Sequence, residues 1–471
     1  MIGEIALVGA GLGDPELLTV KALRKIQQAD VIVYDRLINP AILNDSSLNC
    51  EKIYVGKMPG YHPVPQDKIE GIMVEKARAG KKVVRLKSGD PYVFGRGGEE
   101  GSTLKKAGIP FEVIPGITSS IGGLAYAGIP ITYRDLAASF HVYTGHLNNS
   151  DRTVDWEVAA KAEGTLVFLM GMSGLADITQ QLVQHGKSAD TPAAIVQWAS
   201  RKQQRTVTGT LTTIYQQAQE AKLQPPSLIV IGEVVTRREK LNFFEERPLF
   251  SISIAVPYSE KKKMTHHLTD LGAEVVELPR PQLELFPVTI EFERWQQIIF
   301  TDKNSVAVFL QAMKQQKQDW RQLAQLKLVT VGHHTGEALQ QAGIQPDAQF
   351  PTLTDCLKKV MIPEEALVLG DASVKELSAA NYLVTHEEKI QPPIPDLWQT
   401  TDFMYFPNSK AARLFLQSLN SEELTQLKQH KIIVMGQMTK AVFDLYQVPV
   451  IETKEPSYDS VIEQLLKEKN R

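Results

Sequence analysis

The chain has 471 residues, of which 43% are hydrophobic and 22% are charged, and its formal net charge is -3 at pH 7. This length predicts two or three domains, and the nearly balanced charge excludes a global basic field of the kind that attracts nucleic acid. Two cysteines, Cys50 and Cys356, are too few and too far apart for a disulfide framework or a CxxC metal site. No segment has the ~20 apolar residues of a membrane helix, and no basic leader precedes the first apolar run. We therefore expect a cytoplasmic protein without a membrane anchor.

Short β-branched runs alternate with helical patterns along the first half of the chain, which predicts an α/β fold. The runs are EIALVGA, DVIVYD, KKVVRLKSGDP, FEVIPG, TLVFLMG, PAAIVQWA and PSLIVIG. The series ends in a charged and aromatic stretch, EVVTRREKLNFFEERP, after which a new strand, helix, strand pattern begins. We place a domain boundary between Arg238 and Pro248, with a first domain over residues 1–243 and a second over 248–471.

The second half contains a loose internal repeat. WQQIIFTDKNSVAVFLQAM at 295–313 is similar to DFMYFPNSKAARLFLQSL at 402–419, and KLVTVGHHTGEAL at 327–339 is similar to KIIVMGQMTKAVF at 431–443. This duplication predicts two α/β lobes, one over about 286–392 and one that joins about 248–285 to 393–471.

The first glycine turn lies within VGAGLGDPELLTV, Val8 to Val20, where a strand pattern is followed by a helix pattern. Gly9 and Gly11 match the first two positions of the dinucleotide fingerprint G-x-G-x-x-G, but Asp14 takes the third. A carboxylate there would repel a phosphate and would itself occupy the positive end of the helix dipole. The turn therefore favours a neutral or cationic ligand. A nicotinamide-dependent oxidoreductase stays an alternative, because Asp35 ends the second strand as a ribose-binding acid would.

Glycine and small polar residues also follow the later strands, at the edge where open α/β folds bind ligands. For most of these loops, ordinary turn chemistry is a sufficient explanation. It is less convincing for SGDPYVFGRGGEE, Ser88 to Glu100, because a plain turn needs few of its aromatic, charged and glycine residues.

Seven blocks in this order and spacing resemble uroporphyrinogen-III C-methyltransferases over about residues 1–243. They are VGAGLGDPELLT, VIVYDRL, VGKMPGYHPVPQ, VVRLKSGDPYVFGRGGEE, VIPGITSSIGGLAYAGIPITYRD, YTGH and VFLMGM. The resemblance implies a two-lobed tetrapyrrole-methylase fold that usually forms a homodimer. It also implies transfer of two methyl groups from S-adenosylmethionine to carbons 2 and 7 of uroporphyrinogen III, which gives precorrin-2 and S-adenosylhomocysteine.

The resemblance further implies which residues meet the methyl donor, mainly through their backbone. They are Leu12, Ser88, Gly89, Asp90, Val93, Thr118, Ser119, Met170 and Ala199. The family usually has proline at the position of Leu12 and a second glycine at that of Ser88, and glycine is also common at that of Ala199.

The tetrapyrrole substrate is a polycarboxylate, so its recognition requires local positive charge, and arginine is preferred because it pairs with carboxylates through two hydrogen bonds. By resemblance Arg96 and Arg134 face the tetrapyrrole, and Lys57 and His62 lie on a neighbouring loop. Each could equally be a solvated surface charge, and for His62 that reading has the same weight as binding.

Methyl transfer to a pyrrole carbon needs alignment of the reactants and later removal of a proton, but no protein nucleophile. The resemblance makes Asp35 the candidate proton acceptor and Lys57 the candidate proton donor. Glu99, three residues beyond Arg96, is a competing base, and the sequence does not rank the two.

The second half resembles uroporphyrinogen-III synthases in IIFTDKNSV, VTVGHHTGEAL, LVLGDASV, YFPNSKAA and VMGQMTKA. The resemblance places turn residues around a cleft at Thr301, Asn304, Gly332, Thr335, Ser409 and Thr439. Asp302 stands where a serine often follows the threonine, and His386 stands where a tyrosine is expected. These departures leave open a C-terminal half that is only a docking or stability module.

The histidine pairs His266-His267 and His333-His334 do not predict a metal site. Neighbouring side chains diverge in direction, and no acid or cysteine recurs at ligand spacing. Our leading prediction is therefore a metal-free, bifunctional enzyme of the sirohaem and cobalamin branch. Its synthase half would make uroporphyrinogen III from hydroxymethylbilane, and its methyltransferase half would consume that product.

Overall fold

A computed structural model describes residues 2–47, 49–56, 64–145, 154–359, 363–377, 381–390 and 397–470. Within these ranges the strands form four sheets that alternate with helices, which confirms the predicted α/β class. No helix among the described residues has both the length and the apolar character that a membrane crossing requires.

The first half of the chain forms two sheets. Its strands are β1 Ile5–Gly9, β2 Val31–Tyr34, β3 Glu51–Tyr54, β4 Val83–Lys87, β5 Phe111–Ile114, β6 Phe140–Thr144, β7 Thr165–Leu169, β8 Pro192–Gln197, β9 Arg205–Thr210 and β10 Ser227–Ile231. The first sheet has the order β3-β2-β4-β1-β5 and is parallel throughout. The second has the order β6-β7-β10-β8-β9, in which only β6 and β7 are parallel. These sheets form the two lobes that the methylase resemblance predicts.

The helices of the first half connect these strands. They are α1 Val20–Gln27, α2 Gln66–Arg78, α3 Gly97–Lys106, α4 Ser119–Tyr126, α5 Trp156–Lys161, α6 Leu175–Gln184, α7 Ile214–Glu220 and α8 Arg238–Leu241. Short 3₁₀ turns add Pro15–Leu17, Pro40–Asp45, Met172–Gly174 and Glu233–Arg237.

The second half also forms two sheets. Its strands are β11 Ser253–Val256, β12 Glu274–Glu277, β13 Gln282–Leu285, β14 Gln297–Phe300, β15 Lys327–Val331, β16 Ala348–Phe350, β17 Ala366–Asp371, β18 Asn381–Lys389, β19 Phe403–Phe406, β20 Lys431–Val434 and β21 Ile451–Glu452. The third sheet, β12-β11-β19-β20-β21, is parallel. The fourth, β13-β18-β17-β14-β15-β16, is parallel except where β13 pairs with β18.

The helices of the second half are α9 Lys263–Asp270, α10 Lys303–Gln315, α11 His333–Gln341, α12 Leu353–Leu357, α13 Ser409–Ser418, α14 Ser421–Leu427, α15 Gln437–Leu445 and α16 Tyr458–Lys469. Further 3₁₀ turns are Phe292–Arg294, Trp320–Gln325, Pro363–Glu365 and Ala372–Leu377. The repeated segments adopt the same local geometry. In both, a strand leads through a glycine, Gly332 or Gly436, into a helix whose third residue is a buried threonine that donates to the carbonyl four residues earlier.

The central strands of the first sheet are continuous apolar runs because both faces of the sheet are buried. Every residue of β1 is buried, and its side chains alternate between two cores. Val8 packs in the core that includes Ile32 and Leu86, while Leu7 packs in the core that includes Val33 and Met73. A parallel sheet covered on both faces requires this pattern, and it fixes the loops at the carboxyl edge of the strands.

The chain forms two compact units that do not follow the predicted domain boundary. One comprises residues 1–278, 394–408 and 426–471, and the other comprises 279–393 and 409–425. The charged stretch before Pro248 packs within the first unit. There Arg238 pairs with Glu245 at 2.5 Å, and Glu245 also accepts hydrogen bonds from Gln204 and Thr206. The boundary at 243 and 248 stays a prediction.

Candidate active site

Three glycine loops meet at the carboxyl edge of the first sheet. A Cβ atom on Gly9, at the end of β1, would lie 2.5 Å from the backbone nitrogen of Gly116, so the backbones touch where no side chain fits. The Asp90 carboxylate joins the loops after β4 and β5, since it accepts from the backbone of Tyr92 at 2.8 Å and of Gly116 at 3.0 Å. The loops therefore form a surface made largely of backbone.

Above these loops lies a cleft of about 420 Å³ that residues of the first two sheets line. Six of the nine residues that resemblance assigns to the methyl donor line it: Leu12, Ser88, Val93, Ser119, Met170 and Ala199. The other three lie directly behind them. Gly89 exchanges backbone hydrogen bonds with Gly11, Asp90 holds the loops, and Thr118 caps α4 by accepting from Ser120. We call this space the donor cleft.

Strained backbone surrounds the donor cleft. Phe94, Met170 and Trp198 all line it with positive φ angles of 52°, 57° and 48°. Non-glycine residues adopt this region rarely, at a cost on the order of 1–3 kcal/mol each, and such residues cluster at functional sites. The sequence contains no signal for these conformations, because none of the three residue types favours them.

The first glycine turn ends at Asp14, but α1 does not begin there as the sequence pattern predicts. Asp14 caps the 3₁₀ turn Pro15–Leu17 by accepting from the backbone of Glu16 at 2.9 Å, and the Tyr126 hydroxyl donates to its other oxygen at 2.6 Å. The helix α1 starts only at Val20, with Thr19 as its cap. Asp14 therefore caps the 3₁₀ turn and does not lie at the N-terminus of α1.

Asp35 follows β2 and is not itself among the residues that line the donor cleft. One of its oxygens accepts from the backbone of Leu37 at 3.2 Å, and the other lies 3.4 Å from the Arg85 guanidinium. Its neighbours Arg36 and Leu37 line the cleft. Lys57 and His62, the other candidates from the sequence, lie outside the described residues.

A buried charged cluster lies behind Asp35, and the sequence analysis missed it. One oxygen of Glu100 accepts from Lys87 at 2.9 Å, from Gln66 at 3.1 Å and from Arg85 at 3.4 Å. Glu100 is 0% exposed, and its second oxygen has no partner. Burial lowers the pKa of Lys87, and the charge of Arg85 lowers it further. The available signal was the pair of basic residues inside the apolar run VVRLK.

Arg96 and Glu99 form an exposed ion pair at the start of α3. The Arg96 Nε lies 2.9 Å from a Glu99 oxygen, and the two side chains are 55% and 58% exposed. Arg134 is exposed in the turn that Tyr133 and Ala137 close, and it is not among the residues that line the donor cleft. Two other arginines, Arg36 and Arg201, do line the cleft, and the sequence analysis did not select them.

The second unit contains its own cavity of about 180 Å³ at the carboxyl edge of the fourth sheet. Thr301, Asp302 and His386 line it, and His386 is buried with its Nε2 3.4 Å from Asp302 and 3.5 Å from Asp371. Asp302 caps α10, because its carboxylate accepts from the backbone of Asn304 and Ser305 and from the Thr301 hydroxyl. The oxygens of this unexpected acid are therefore engaged by the protein itself.

The remaining synthase candidates occupy turns and helix starts. Asn304 donates to Glu388 at 3.1 Å, Gly332 precedes α11, Thr335 is buried on α11, and Ser409 begins α13, all in the second unit. Thr439 is buried on α15 in the first unit.

The sequence analysis excluded a metal site at His333-His334 because no acid lies at ligand spacing, and the structure contradicts that reason. Ligand atoms of His333, His334 and Glu337 all lie within 4.8 Å of one another. Glu337 is the acid at ligand spacing that the sequence analysis overlooked, since residues three and four apart share a face of a helix. All three side chains are exposed, and both histidines face the carboxylate, His334 at 2.9 Å. The absence of a metal stays a prediction.

Comparisons with known proteins identify the families to which the two halves are similar. The family Tetrapyrrole (Corrin/Porphyrin) Methylases matches residues 4–215, and the family Uroporphyrinogen-III synthase HemD matches residues 262–369. The porphyrin biosynthesis protein HemD of Ruminiclostridium josui is 34% identical over 98% of both chains. The uroporphyrinogen-III C-methyltransferase of Bacillus subtilis (strain 168) is 38% identical over 85% of this chain and 83% of its own.

Among solved structures, the uroporphyrin-III C-methyl transferase from Thermus thermophilus, complexed with S-adenyl homocysteine, is 41% identical. That similarity covers 50% of this chain and 99% of the other, with a TM-score of 0.43. The sequence relatives and family matches confirm both resemblances. The chain belongs to the tetrapyrrole methylases and carries a uroporphyrinogen-III synthase domain after the methylase domain.

Proposed function

We propose that this enzyme methylates uroporphyrinogen III at carbons 2 and 7, with S-adenosylmethionine as donor, and that its C-terminal half supplies uroporphyrinogen III from hydroxymethylbilane. The observation that carries the methyltransferase proposal is the donor cleft itself. Six of the nine residues expected at the donor line one cleft above touching glycine loops. A surface of this kind recognises a small ligand through backbone groups.

In each transfer a pyrrole carbon attacks the methyl carbon of the donor, a carbon–carbon bond forms, and the carbon–sulfur bond breaks. S-adenosylhomocysteine leaves, and the methylated ring then loses a proton. The cleft supplies alignment of the two reactants, and Asp35, which directly precedes two lining residues, is the base that takes the proton. Arg36, which lines the cleft, provides local positive charge for a polycarboxylate although the whole chain is slightly acidic.

Replacing Asp90 by alanine should weaken binding of S-adenosylmethionine roughly ten- to a hundredfold. Its carboxylate holds the loops after β4 and β5 together and has lone pairs left for ribose hydroxyl or ammonium groups of the donor. Charge-assisted hydrogen bonds of this kind are worth about 1.5–3 kcal/mol. Isothermal titration calorimetry with the full chain measures the change. Donor affinity equal to that of the unmodified chain would remove Asp90 from the site.

Replacing Arg96 by lysine should lower turnover while donor affinity stays unchanged. The exposed Glu99 carboxylate can give way to a substrate carboxylate, because exposed ion pairs contribute little stability. Lysine keeps the charge but loses the planar fork that pairs with carboxylates. Steady-state kinetics with both substrates separates the effects. A loss of stability without a kinetic defect would instead assign Arg96 to a structural pair with Glu99, and a parallel loss of donor binding would place it on the donor side.

The synthase proposal rests on the second cavity. Asp302 gives its oxygens to the cap of α10, so its presence does not argue against an acidic substrate. Lys410 and Arg413 line the same cavity, and because Lys410 is paired with Glu388 at 2.7 Å, Arg413 is the residue we propose to meet a substrate carboxylate. Around this cavity we place Thr301, Asn304, Gly332, Thr335 and Ser409, and the role of Thr439 stays a prediction.

The test supplies hydroxymethylbilane and S-adenosylmethionine to the purified chain and asks whether precorrin-2 forms. A parallel reaction starts from uroporphyrinogen III. Product from both starting compounds supports the bifunctional enzyme. Product only from uroporphyrinogen III would make the C-terminal half a non-catalytic module, and product from neither would contradict the methyltransferase.

The resemblance also supports the wider proposal of a cytoplasmic homodimer that assembles through the methyltransferase domain and works without a metal, a membrane or nucleic acid. We propose domains over residues 1–243 and 248–471. Light scattering after size exclusion tests the dimer, and metal analysis of the active enzyme tests the absence of a metal.

A further inference from the structure

One wall of the donor cleft is the segment Trp198–Lys202, which follows β8. Trp198, Ala199 and Arg201 line the cleft, and both Trp198 and Ser200 hold positive φ angles, 48° and 65°. Strained backbone persists only where the surrounding structure holds it. The contacts on the outer side of this segment therefore decide the shape of the wall.

The outer contacts come from Glu274, the first residue of β12 in the third sheet. The Arg201 guanidinium donates to both of its oxygens, at 3.1 Å and 2.7 Å, and the backbone of Lys202 donates at 2.9 Å. The side chains of Arg201 and Glu274 are each only 15% exposed. A bidentate pair between a guanidinium and a carboxylate fixes orientation as well as distance.

The electrostatics of this contact keep Glu274 charged. Burial alone would raise the pKa of this carboxyl group, but the hydrogen bonds and charge of Arg201 outweigh burial and hold the pKa below its usual value. The carboxylate therefore accepts all three hydrogen bonds at neutral pH.

Further contacts tie the same wall to the third sheet and to the first glycine loop. The Lys202 ammonium group donates to the Ser253 hydroxyl on β11 at 2.7 Å and to Asp402, just before β19, at 3.0 Å. A Cβ atom on Gly13 would lie 2.5 Å from the Cδ of Arg201, so the aliphatic part of the arginine passes over a glycine that leaves room for it. Arg201 is thus packed on one side and paired on the other.

We propose that Glu274 is a positioning residue for methyl-donor binding, which acts from the synthase-like half of the chain by fixing Arg201 and the cleft wall around it. This inference rests on the proposed function of the donor cleft. It gives the C-terminal half a part in methyl transfer besides its own reaction, because β12 completes the support of a cleft built by the first half.

The test is the variant Glu274→Gln in the full chain. An amide keeps the size of the side chain, but its NH₂ group faces N–H donors and one of the charge-assisted bonds is lost. We expect the Kd and the KM for S-adenosylmethionine to rise about tenfold, as the loss of one such bond implies. The kcat at saturating donor should stay within about twofold, since the reacting groups are untouched. Synthase turnover of hydroxymethylbilane should not change.

Glu277→Gln is the matched control. Glu277 ends the same strand, and its carboxylate pairs with Lys262 at 3.2 Å and accepts from Thr265 at 2.9 Å, away from the cleft wall. This variant should bind the donor like the unmodified chain. An equal loss of donor affinity in both variants would overturn the proposal, because it would reflect a general weakening of the third sheet.

A second variant, Arg201→Lys, tests the same pair from the other side. It replaces Glu274→Gln as the test if that variant does not fold. It should weaken donor binding, and adding Glu274→Gln to it should weaken binding little further, since the two changes remove one interaction. Unchanged donor affinity in a folded Glu274→Gln chain, or additive losses in the double variant, would overturn the positioning role. A failure of the unmodified chain to bind S-adenosylmethionine would contradict the proposed function instead.

Discussion

Replacing Asp35 by asparagine is expected to lower kcat for methylation about 100- to 10,000-fold, the range by which a positioned general base accelerates proton transfer. Asp35 directly precedes Arg36 and Leu37, which line the donor cleft. Asparagine has nearly the same shape, and its oxygen can still accept from the backbone of Leu37 or from Arg85. We therefore expect the fold and the affinity for S-adenosylmethionine to be retained.

The control is Glu99→Gln, which removes the competing base. Glu99 is exposed and paired with Arg96, so its loss should change the rate far less than the loss of Asp35. Single-turnover kinetics with saturating donor measure the chemical step in both variants. A large loss of rate in Glu99→Gln together with a near-normal rate in Asp35→Asn would make Glu99 the base instead of Asp35. Near-normal rates in both would exclude a carboxylate base at either position.

Much of the donor cleft could be predicted from the sequence because its construction is local. The loops after β1, β4 and β5 carry glycines where backbones must touch, and parallel strands bring the ends of these loops to one edge of the sheet. Ser88, Val93 and Ser119, which the family resemblance named, line the cleft at that edge. The same local logic was wrong about Asp14, which caps a 3₁₀ turn instead of the helix, because α1 begins only at Val20.

Other parts of the site depend on contacts that no local pattern reveals. Trp198 and Met170 take left-handed conformations that their residue types do not favour, so only the surrounding structure determines them. Arg201 seemed an ordinary charged residue after a strand, yet its partner Glu274 lies far along the chain. Pairing across such a separation is set by how the sheets pack and not by sequence spacing.

The synthase-like half shows how a departure from a family pattern can mislead. Asp302 seemed an acid facing an acidic substrate, but a helix begins at the next residue, and aspartate is a preferred cap. The sequence TDKNS contains this capping signal, since Ser305 completes the reciprocal pair with Asp302. Asp302 therefore has a structural role as the cap of α10, and its oxygens accept hydrogen bonds from within the protein.

The largest effect on stability is expected for Glu100→Ala. This carboxylate is fully buried and receives hydrogen bonds from Lys87, Arg85 and Gln66. Its removal leaves two cationic side chains together inside the first sheet, and breaking a buried ion pair in this way costs about 3–5 kcal/mol. Hydrogen–deuterium exchange of the peptide that covers β4 measures the opening free energy of that sheet. Glu99→Gln, one residue earlier but exposed, should leave the exchange unchanged.

The sign of the pH dependence separates charge repulsion from simple loss of packing. Burial and the charge of Arg85 already lower the pKa of Lys87, and Glu100 is the group that raises it most. Without Glu100 the pKa of folded Lys87 falls further below about 10.4, the ordinary pKa of lysine, so between that lowered pKa and 10.4 the folded variant binds fewer protons than the folded unmodified chain. Stability rises with pH wherever the unfolded state holds more protons. The loss of unfolding free energy in Glu100→Ala, relative to the unmodified chain, should therefore become smaller between pH 7 and 10. A loss that stays constant across this range would mean that a cavity, and not unpaired charge, weakens the sheet.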